Sequence, residues 1–274
     1  MSSNISTESY LENQDTMLLG VNSPQLEHKI VNRSSRKMVL FTLGGGIFSF
    51  SANSIAAYLR KKNYQVTIIN CEPPITNEAG TVFSTMTEAQ LEMMVETCKD
   101  AMAFGISLVT VHQLELAVQI NNYLKTLSDA PVVWGGVPVI SDPNFYLKYA
   151  DYVCTGEGEV FLHEFLEQIR QGLPFHQVRG MAYRTTDEDV VTNPSIDMVN
   201  VNEIPLPLLD MENIYLLKPS GLFWGKEHQD EILQAAVKNT DSGSSRSEGV
   251  LSGAHSAPTA CLPKSTRASS NCVV

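Results

Sequence analysis

The fold class of this 274-residue chain is decided by residues 131–159, PVVWGGVPVISDPNFYLKYADYVCTGEGE. In that stretch a strand of the buried type, residues 132–134, runs directly into Gly135-Gly136. One helix later a second short strand, residues 152–154, runs into the GEGE sequence at 156–159. Parallel strands that end in glycine turns expose bare backbone at the carboxyl edge of the sheet, where open α/β sheets bind ligands. The stretch therefore points to a bound cofactor more clearly than to a reaction.

The same alternation of strand and helix extends through the preceding hundred residues. Short apolar runs predict strands, and apolar residues at a spacing of three and four predict helices. Five strands that alternate with helices predict an α/β fold, a doubly wound, Rossmann-like parallel sheet. The predicted strands are 38–41, 64–69, 103–108, 132–134 and 152–154, and the predicted helices are 51–62, 87–99, 114–127, 144–149 and 160–171.

Composition divides the chain into four predicted parts. Residues 1–36 are polar and rich in Ser and Asn, which predicts a disordered extension, and residues 37–178 hold the Rossmann-like domain. Residues 179–225 are predicted to form a small hairpin and a proline-containing exit linker. Residues 226–274 become rich in Ser, Ala and Gly, which predicts a disordered tail.

Charge and composition exclude several classes of partner. The formal net charge of −11 argues against a nucleic-acid or acidic-membrane partner, because both need a basic face. No apolar run reaches the roughly 18 residues of a membrane span, and the polar N-terminus has no signal-peptide core. The five cysteines are odd in number and far apart, which favours reduced thiols over a disulfide framework. We therefore expect a cytoplasmic protein.

Two further loops at the predicted carboxyl edge carry candidate ligand contacts. Gly44-Gly45-Gly46 and Ser49 follow the first strand, where glycines let backbone approach a ligand and the next helix offers free N–H groups. The alternative is that this glycine turn serves tight packing alone. Ser107 and Thr110 place hydroxyls after the third strand, where each could equally be a helix cap.

The acidic GEGE turn places two carboxylates, a candidate acid/base pair, beside the edge of the predicted sheet. Glu157 and Glu159 could exchange protons with a substrate, but they also stand where carboxylates complement a helix dipole. His112 has no second ligand at metal-binding spacing, so we predict no metal site. No catalytic triad and no phosphate-binding Walker sequence occurs, so no catalytic residue is predicted.

Three segments in this order resemble a known domain: FGISLVT, then VVWGGVPVISDPNFYLKYADYVCTGEGEVFLHEFLEQI, then GMAYR with the IPLP exit. The opening LGGGIFSFSANSIAAYLRKKNYQVTIIN fits the same domain. Together they resemble the N-terminal cobalamin-binding domain of cobalamin-dependent radical SAM enzymes. The resemblance covers about residues 37–215, and it is the combination of motifs that is specific.

The resemblance implies that cobalamin lies against the carboxyl edge with its nucleotide tail buried beside the sheet. These domains generally lack the Asp-x-His-x-x-Gly motif that ligates cobalt, and it is absent here, which gives His112 no ligand role. The cofactor contacts implied are Gly44, Gly45, Gly46, Ser49, Ser107, Val109, Thr110, Gly135, Gly136, Val137, Gly156, Glu157, Gly158 and Glu159.

The rest of such an enzyme, a barrel domain that holds an iron-sulfur cluster on CxxxCxxC and binds SAM, has no counterpart here, because that spacing does not occur. A frameshift hypothesis addresses this. If the coding DNA is read two bases later, Cys codons are possible at the junctions Gly249-Val250, Gly253-Ala254 and Ser256-Ala257. These three positions have the CxxxCxxC spacing of the cluster ligands. The chain is thus interpreted as a truncated cobalamin domain, non-catalytic alone, whose tail is translated out of frame.

Two other classes of protein share this order of strands and helices. A Rossmann-like protein that binds a nucleotide or sugar nucleotide, such as a transferase, stays open as the alternative. A receiver-like signalling module is rejected, since it needs acidic residues where Leu43-Gly44 and Leu108-Val109 stand.

Overall fold

A computed structural model describes residues 34–43, 49–71, 85–185, 187, 189–195, 201–207, 211–218 and 220–230. The chain divides into two units, Met1–Gln229 and Asp230–Val274. The predicted N-terminal extension lies outside the described residues up to residue 33, and the predicted tail lies outside them from residue 231.

The described residues build one sheet of nine strands. The strands are β1 (Lys37–Leu43), β2 (Gln65–Cys71), β3 (Ala103–Ser107), β4 (Val132–Gly135), β5 (Tyr152–Cys154), β6 (Met181–Arg184), β7 (Val190–Thr192), β8 (Ile214–Lys218) and β9 (Gly221–Trp224). Their order is β7-β6-β5-β4-β3-β1-β2-β8-β9. The run from β5 to β8 is parallel throughout, and β6, β7 and β9 add antiparallel edges. This confirms the doubly wound α/β class.

The prediction of five strands is wrong, because the sheet has more. The expected hairpin exists as β6 and β7, but part of the segment expected to be a linker forms β8 and β9. Ile214 of β8 pairs with Ile68 of β2, a residue far away in the sequence. Local periodicity cannot show such a long-range partner, and the nearby prolines favoured an extended linker. The sheet thus continues past residue 178, where the sequence placed the end of the domain.

Seven α-helices flank the sheet in the described part of the chain. They are α1 (Phe50–Lys61), α2 (Glu88–Met93), α3 (Val95–Cys98), α4 (Leu114–Leu127), α5 (Val137–Ser141), α6 (Pro143–Tyr146) and α7 (Gly158–Gln171). The helix expected over 87–99 is interrupted at Met94. Helix α5 was not predicted, although Pro138 fits its first turn because that turn needs no N–H donor. No helix described here combines the length and the apolar character that a membrane span requires.

The two faces of the sheet carry different helices. Crossovers from β1 to β2 and from β3 to β4 run in opposite directions, and right-handed connections therefore place α1 and α4 on opposite faces. Val39, Phe41 and Leu43 of β1 pack in one buried core with residues of α2 to α6. Met38, Leu40 and Thr42 alternate with these residues and face α1 and α7. Strand β1 is thus buried on both faces, which suits a central parallel strand.

Replacing Leu217 of β8 by alanine tests whether this strand belongs to the folded sheet. Leu217 is fully buried, so Leu217→Ala should lower the free energy of unfolding of the full chain by about 2–5 kcal/mol. Leu206 is 88% exposed, and the matched Leu206→Ala control should change it by less than about 0.5 kcal/mol. Urea denaturation followed by circular dichroism measures both, and equal effects would contradict the pairing of β8 with β2.

Candidate functional site

The carboxyl ends of β1 and β3 flank the point where the strand order reverses. Strand β1 leads to β2 on one side, whereas β3, its neighbour on the other side, leads away to β4 and β5. The connections therefore diverge and leave a crevice outside the carboxyl ends of these two strands, where ligands of open α/β sheets bind. Leu43 and Ser107 end the two strands.

Gln113 joins the two sides of this crevice from beneath. Its side chain is buried, and its Oε1 accepts hydrogen bonds from the backbone N–H groups of Val109, at 2.6 Å, and Thr110, at 3.2 Å. Its Nε2 donates to the carbonyl oxygen of Leu43, the last residue of β1. Gln113 was not predicted from the sequence, although the spacing Thr110-x-x-Gln113 is a capping-box signal.

The turn after β3 also shows what Ser107 and Thr110 do. Thr110 stands at the N-cap of a short 3-10 helix, Val111–Gln113, and its backbone N–H donates to the Gln113 side chain at 3.2 Å. This position fits the interpretation of Thr110 as a helix cap. Ser107 is half-buried and lies beside Gly135 in the pairing of β3 with β4. The structure thus brings the predicted loops after β3 and after β4 together. The Ser107 side chain lies at the carboxyl edge of the sheet.

Gly136 lies where the turns after β3 and β4 touch. The N–H of Leu108 donates to the carbonyl oxygen of Gly135 at 2.9 Å. Gly136 has φ +105°, and a Cβ there would overlap the carbonyl oxygen of Leu108. Gly136 therefore serves tight packing of the two turns, and this packing in turn fixes the backbone at the rim.

Apolar side chains project from this rim. Val109 is 55% exposed after β3, Val137 is 72% exposed at the start of α5, and Phe50 is 73% exposed at the start of α1. Ile140 of α5 is also exposed. Large apolar side chains that are exposed at the same edge indicate a surface that binds a ligand or another protein. We call Phe50, Val109, Val137 and Ile140 the apolar rim. It includes two of the residues predicted from the sequence, Val109 and Val137.

The GEGE turn separates its two carboxylates. Glu157 is exposed immediately before α7, whereas Glu159 is buried and accepts a hydrogen bond from the Ser54 hydroxyl of α1 at 2.7 Å. A Cβ on Gly158 would come within 2.7 Å of the Ile55 side chain, so this glycine lets α7 approach α1. One carboxylate thus faces solvent and the other ties two helices together, an arrangement unlike a catalytic acid/base pair.

The first glycine turn is only partly visible. Gly44, Gly45 and Gly46 lie outside the described residues. Ser49 precedes α1, and its carbonyl oxygen accepts the backbone N–H of Asn53 at 3.0 Å. Gly156 is the most open of the predicted glycines, since a Cβ there would meet no described atom within 4 Å.

The cysteine thiols of the described core are buried, and burial raises their pKa values. Cys71, Cys98 and Cys154 are buried and form no disulfide. Burial raises the pKa of the Cys98 thiol to about 12 and that of Cys154 to about 12, so both stay protonated at neutral pH. Within the residues that the structure describes, no group of His, Cys, Asp and Glu side chains could hold a metal ion.

Comparison with known proteins shows what the described sheet is similar to. Residues 36–166 match the family model described as the B12 binding domain. This segment contains β1 to β5 and the crevice, and the match supports cobalamin as its cofactor. Comparison with curated proteins gave no match.

Solved structures are similar to this chain over part of its length, and one of them, OxsB, is similar enough to share its fold. The cobalamin-dependent S-adenosylmethionine radical enzyme OxsB, solved with aqua-cobalamin and S-adenosylmethionine, aligns at a TM-score of 0.52 and 20% identity over 68% of this chain. The radical S-adenosylmethionine methyltransferase TsrM from Kitasatospora setae, solved with tryptophan substrate and a SAM analogue, aligns at 0.46 and 18% over 57% of it. The aligned region spans 25% of the OxsB chain and 30% of the TsrM chain.

Replacing Gln113 by alanine should loosen the crevice. Gln113→Ala leaves two backbone N–H groups and one carbonyl oxygen without their partner, which should lower the free energy of unfolding by about 1–3 kcal/mol. The neighbouring Glu115 is exposed, so Glu115→Ala should change it by less than about 0.5 kcal/mol. Thermal and urea unfolding of the full chain measure both values, and indistinguishable variants would show that Gln113 does not hold the edge.

Proposed function

We propose that this chain holds cobalamin at the carboxyl edge of the sheet, with the corrin ring over the crevice between β1 and β3. The observation that carries the proposal is the match of residues 36–166 to the B12 binding domain. The apolar rim supports it independently, since a broad, largely apolar macrocycle needs an exposed apolar surface at the rim rather than a deep slot.

The contacts on the protein side follow from the position of each residue. Val109, Val137 and the rest of the apolar rim would pack against the ring, and each square ångström of apolar surface removed from water is worth about 25 cal/mol. Ser107, Gly156 and the exposed Glu157 stand at the same edge and would bond the polar amides at the ring margin. Gly136 would hold the rim backbone in place beside the ring, because it lets the turns after β3 and β4 pack together.

The bound group would supply a cobalt centre that can carry a methyl group, and the residues of this chain would bind and orient it. We propose no cobalt ligand from the protein. His112 is exposed on the 3-10 helix after β3, and the cobalt-ligating sequence motif is absent around it. We also propose that the chain is non-catalytic alone, since its described acid pair is divided between solvent and a helix contact.

Cobalamin retention by the full-length chain tests the proposal. Purified protein is mixed with hydroxocobalamin, desalted, and its visible spectrum recorded, and we expect near-stoichiometric corrinoid to elute with the protein. Val137→Asp places a charge on the exposed apolar rim and should weaken retention at least about tenfold, the effect of about 1.4 kcal/mol. Leu173→Asp, at an exposed site beyond the far end of α7, is the matched control and should retain cobalamin normally.

A folded protein that elutes colourless would overturn the proposal. In that case the crevice at the switch point would favour the alternative, a nucleotide or sugar-nucleotide binding protein such as a transferase, because the same edge binds nucleotides in related folds. Retention of cobalamin by wild type and Val137→Asp alike would leave cobalamin binding in place and would remove the apolar rim from the site.

Replacing His112 by alanine tests the proposed absence of a protein ligand to cobalt. Because His112 lies outside any cobalt-ligating motif, the visible spectrum of the bound corrinoid should be the same for His112→Ala and wild type. A shift of the absorption bands in the variant, with retention unchanged, would show that the imidazole coordinates the metal.

We further propose that the domain comes from a cobalamin-dependent radical SAM enzyme. The order of sequence motifs supports this, and the shared fold of OxsB is consistent with it. The coding DNA tests it: the frame read two bases later should contain Cys codons at junctions 249/250, 253/254 and 256/257. A stop codon before them, or other codons at those junctions, would remove the frameshift hypothesis, which concerns a tail outside the described residues.

A further inference from the structure

A cavity of about 380 Å³ opens at the amino-terminal edge of the sheet, opposite the edge that carries the crevice. It lies where the end of α3 leads into β3 and the end of α4 leads toward β4. We call it the amino-edge cavity. Its volume falls within the roughly 300–1,000 Å³ of cavities that hold small ligands, so it has room for several side chains. Its apolar wall consists of Val95, Cys98, Ala101, Phe104, Leu127 and Ala130.

The lining of this cavity suits an apolar occupant. Phe104 is fully buried, and Leu127, at the end of α4, leaves 38% of its surface exposed. Glu96 and Lys99 also line the cavity, but they are exposed and pair with each other at 3.9 Å, so their charges offset. An apolar wall beside a partly exposed leucine favours apolar side chains over an ionic ligand.

The chain enters the domain beside this cavity. The hydroxyl of Ser35 donates to the carbonyl oxygen of Asp100 at 2.5 Å, and Nζ of Lys37 donates to the carbonyl oxygen of Lys99 at 2.9 Å. Lys99 and Asp100 both line the cavity. Residues 1–33, which lie outside the described residues, are therefore joined to the domain at the edge of the amino-edge cavity.

The sequence of that joined segment contains one group that matches the cavity wall. Residues 17–21, MLLGV, are the longest run without a polar residue among residues 1–33. Residues 22–34 separate this run from Ser35, and a chain of that length spans at most about 45 Å, enough to return to the cavity from Ser35. A segment joined by so short a linker has an effective concentration on the order of millimolar, so weak apolar contacts suffice to hold it.

We propose that residues 17–21 of this chain dock in the amino-edge cavity and cover its apolar wall. Leu18 and Leu19 supply the apolar side chains that pack beside Leu127. The linker favours the chain's own segment over a separate molecule, which would lack this effective concentration. Docking holds the start of β1, the central strand of the sheet. The inference goes beyond the proposed function, because this cavity and the crevice lie at opposite edges.

Hydrogen exchange of the full-length chain, read by mass spectrometry, tests the docking from the side of the cavity. Leu127→Asp places a charge on the cavity wall at a site that is exposed enough to tolerate it. The backbone amides of residues 17–21 should exchange about tenfold faster in this variant than in wild type, as for an effective concentration about ten times the dissociation constant. Leu173→Asp, at another exposed leucine, is the matched control and should leave that exchange unchanged.

Thiol labelling tests the docking from the side of the segment. Cys98 is 5% exposed and lines the cavity, so its reaction with N-ethylmaleimide, located by peptide mass spectrometry, reports on access to the cavity wall. Leu19→Asp should raise the rate of this labelling about tenfold, by the same ratio of effective concentration to dissociation constant. Leu11→Asp, outside the apolar run, is the control and should leave the rate unchanged. Labelling of Cys154, buried at the other edge, should not change in either variant.

Several results would overturn the docking. Equal exchange of residues 17–21 in wild type and Leu127→Asp would do so, as would equal labelling of Cys98 in wild type and Leu19→Asp. A rise in labelling of Cys98 and Cys154 alike would show general unfolding instead. Protection of residues 17–21 that increases with protein concentration would assign the cavity to the segment of a second copy. Leu19→Asp should retain cobalamin as wild type does, so failure of the docking and failure of the proposed function are distinguishable.

Discussion

The three hydrogen bonds of Gln113 are the constraint on which the carboxyl edge depends. They tie the last carbonyl of β1 to the N–H groups of the turn after β3, and these are the two strands that flank the switch point. Parallel strands leave such terminal groups without ladder partners, and a buried side-chain amide, with its donor and acceptor, can satisfy both kinds at once. The crevice therefore keeps its width through a side chain that no ligand needs to touch.

The exposed and the buried parts of the carboxyl edge differ in polarity. Phe50, Val109 and Val137 present apolar surface to solvent, whereas Asn53 and Asn70 are buried and each have a polar atom without a hydrogen-bond partner among the described residues. Each unsatisfied buried group costs about 1–3 kcal/mol in the ligand-free domain. A ligand that covers the apolar rim and binds only the folded state would stabilise the domain, so ligand occupancy and folding stability should be coupled in this protein.

Local pattern was enough to predict the α/β class, strands β1 to β5 and the bounds of α4, since each depends on periodicity within a short window. It was also enough to find the loops at the edge, because glycine turns after apolar runs are local signals. It failed for β8, whose partner β2 is distant in the sequence, and for Asn53 and Asn70, since the sequence does not record which buried amide atoms lack partners. For the acidic turn at 156–159, the sequence allows either an acid/base pair or carboxylates that complement a helix dipole. The burial of Glu159 depends on the packing of α7 on α1, which local pattern does not record.

The position of β8 also has a consequence for how the chain is made. During synthesis β1 to β5 leave the ribosome well before residues 214–218, so β2 emerges as an outer strand with its backbone N–H and C=O groups unpaired on one side. Unprotected outer strands recruit other chains, and long-range parallel pairing is slow to form. Nascent or shortened chains that lack β8 are therefore the species most exposed to aggregation and to chaperone capture, and the yield of folded protein depends on the synthesis of β8.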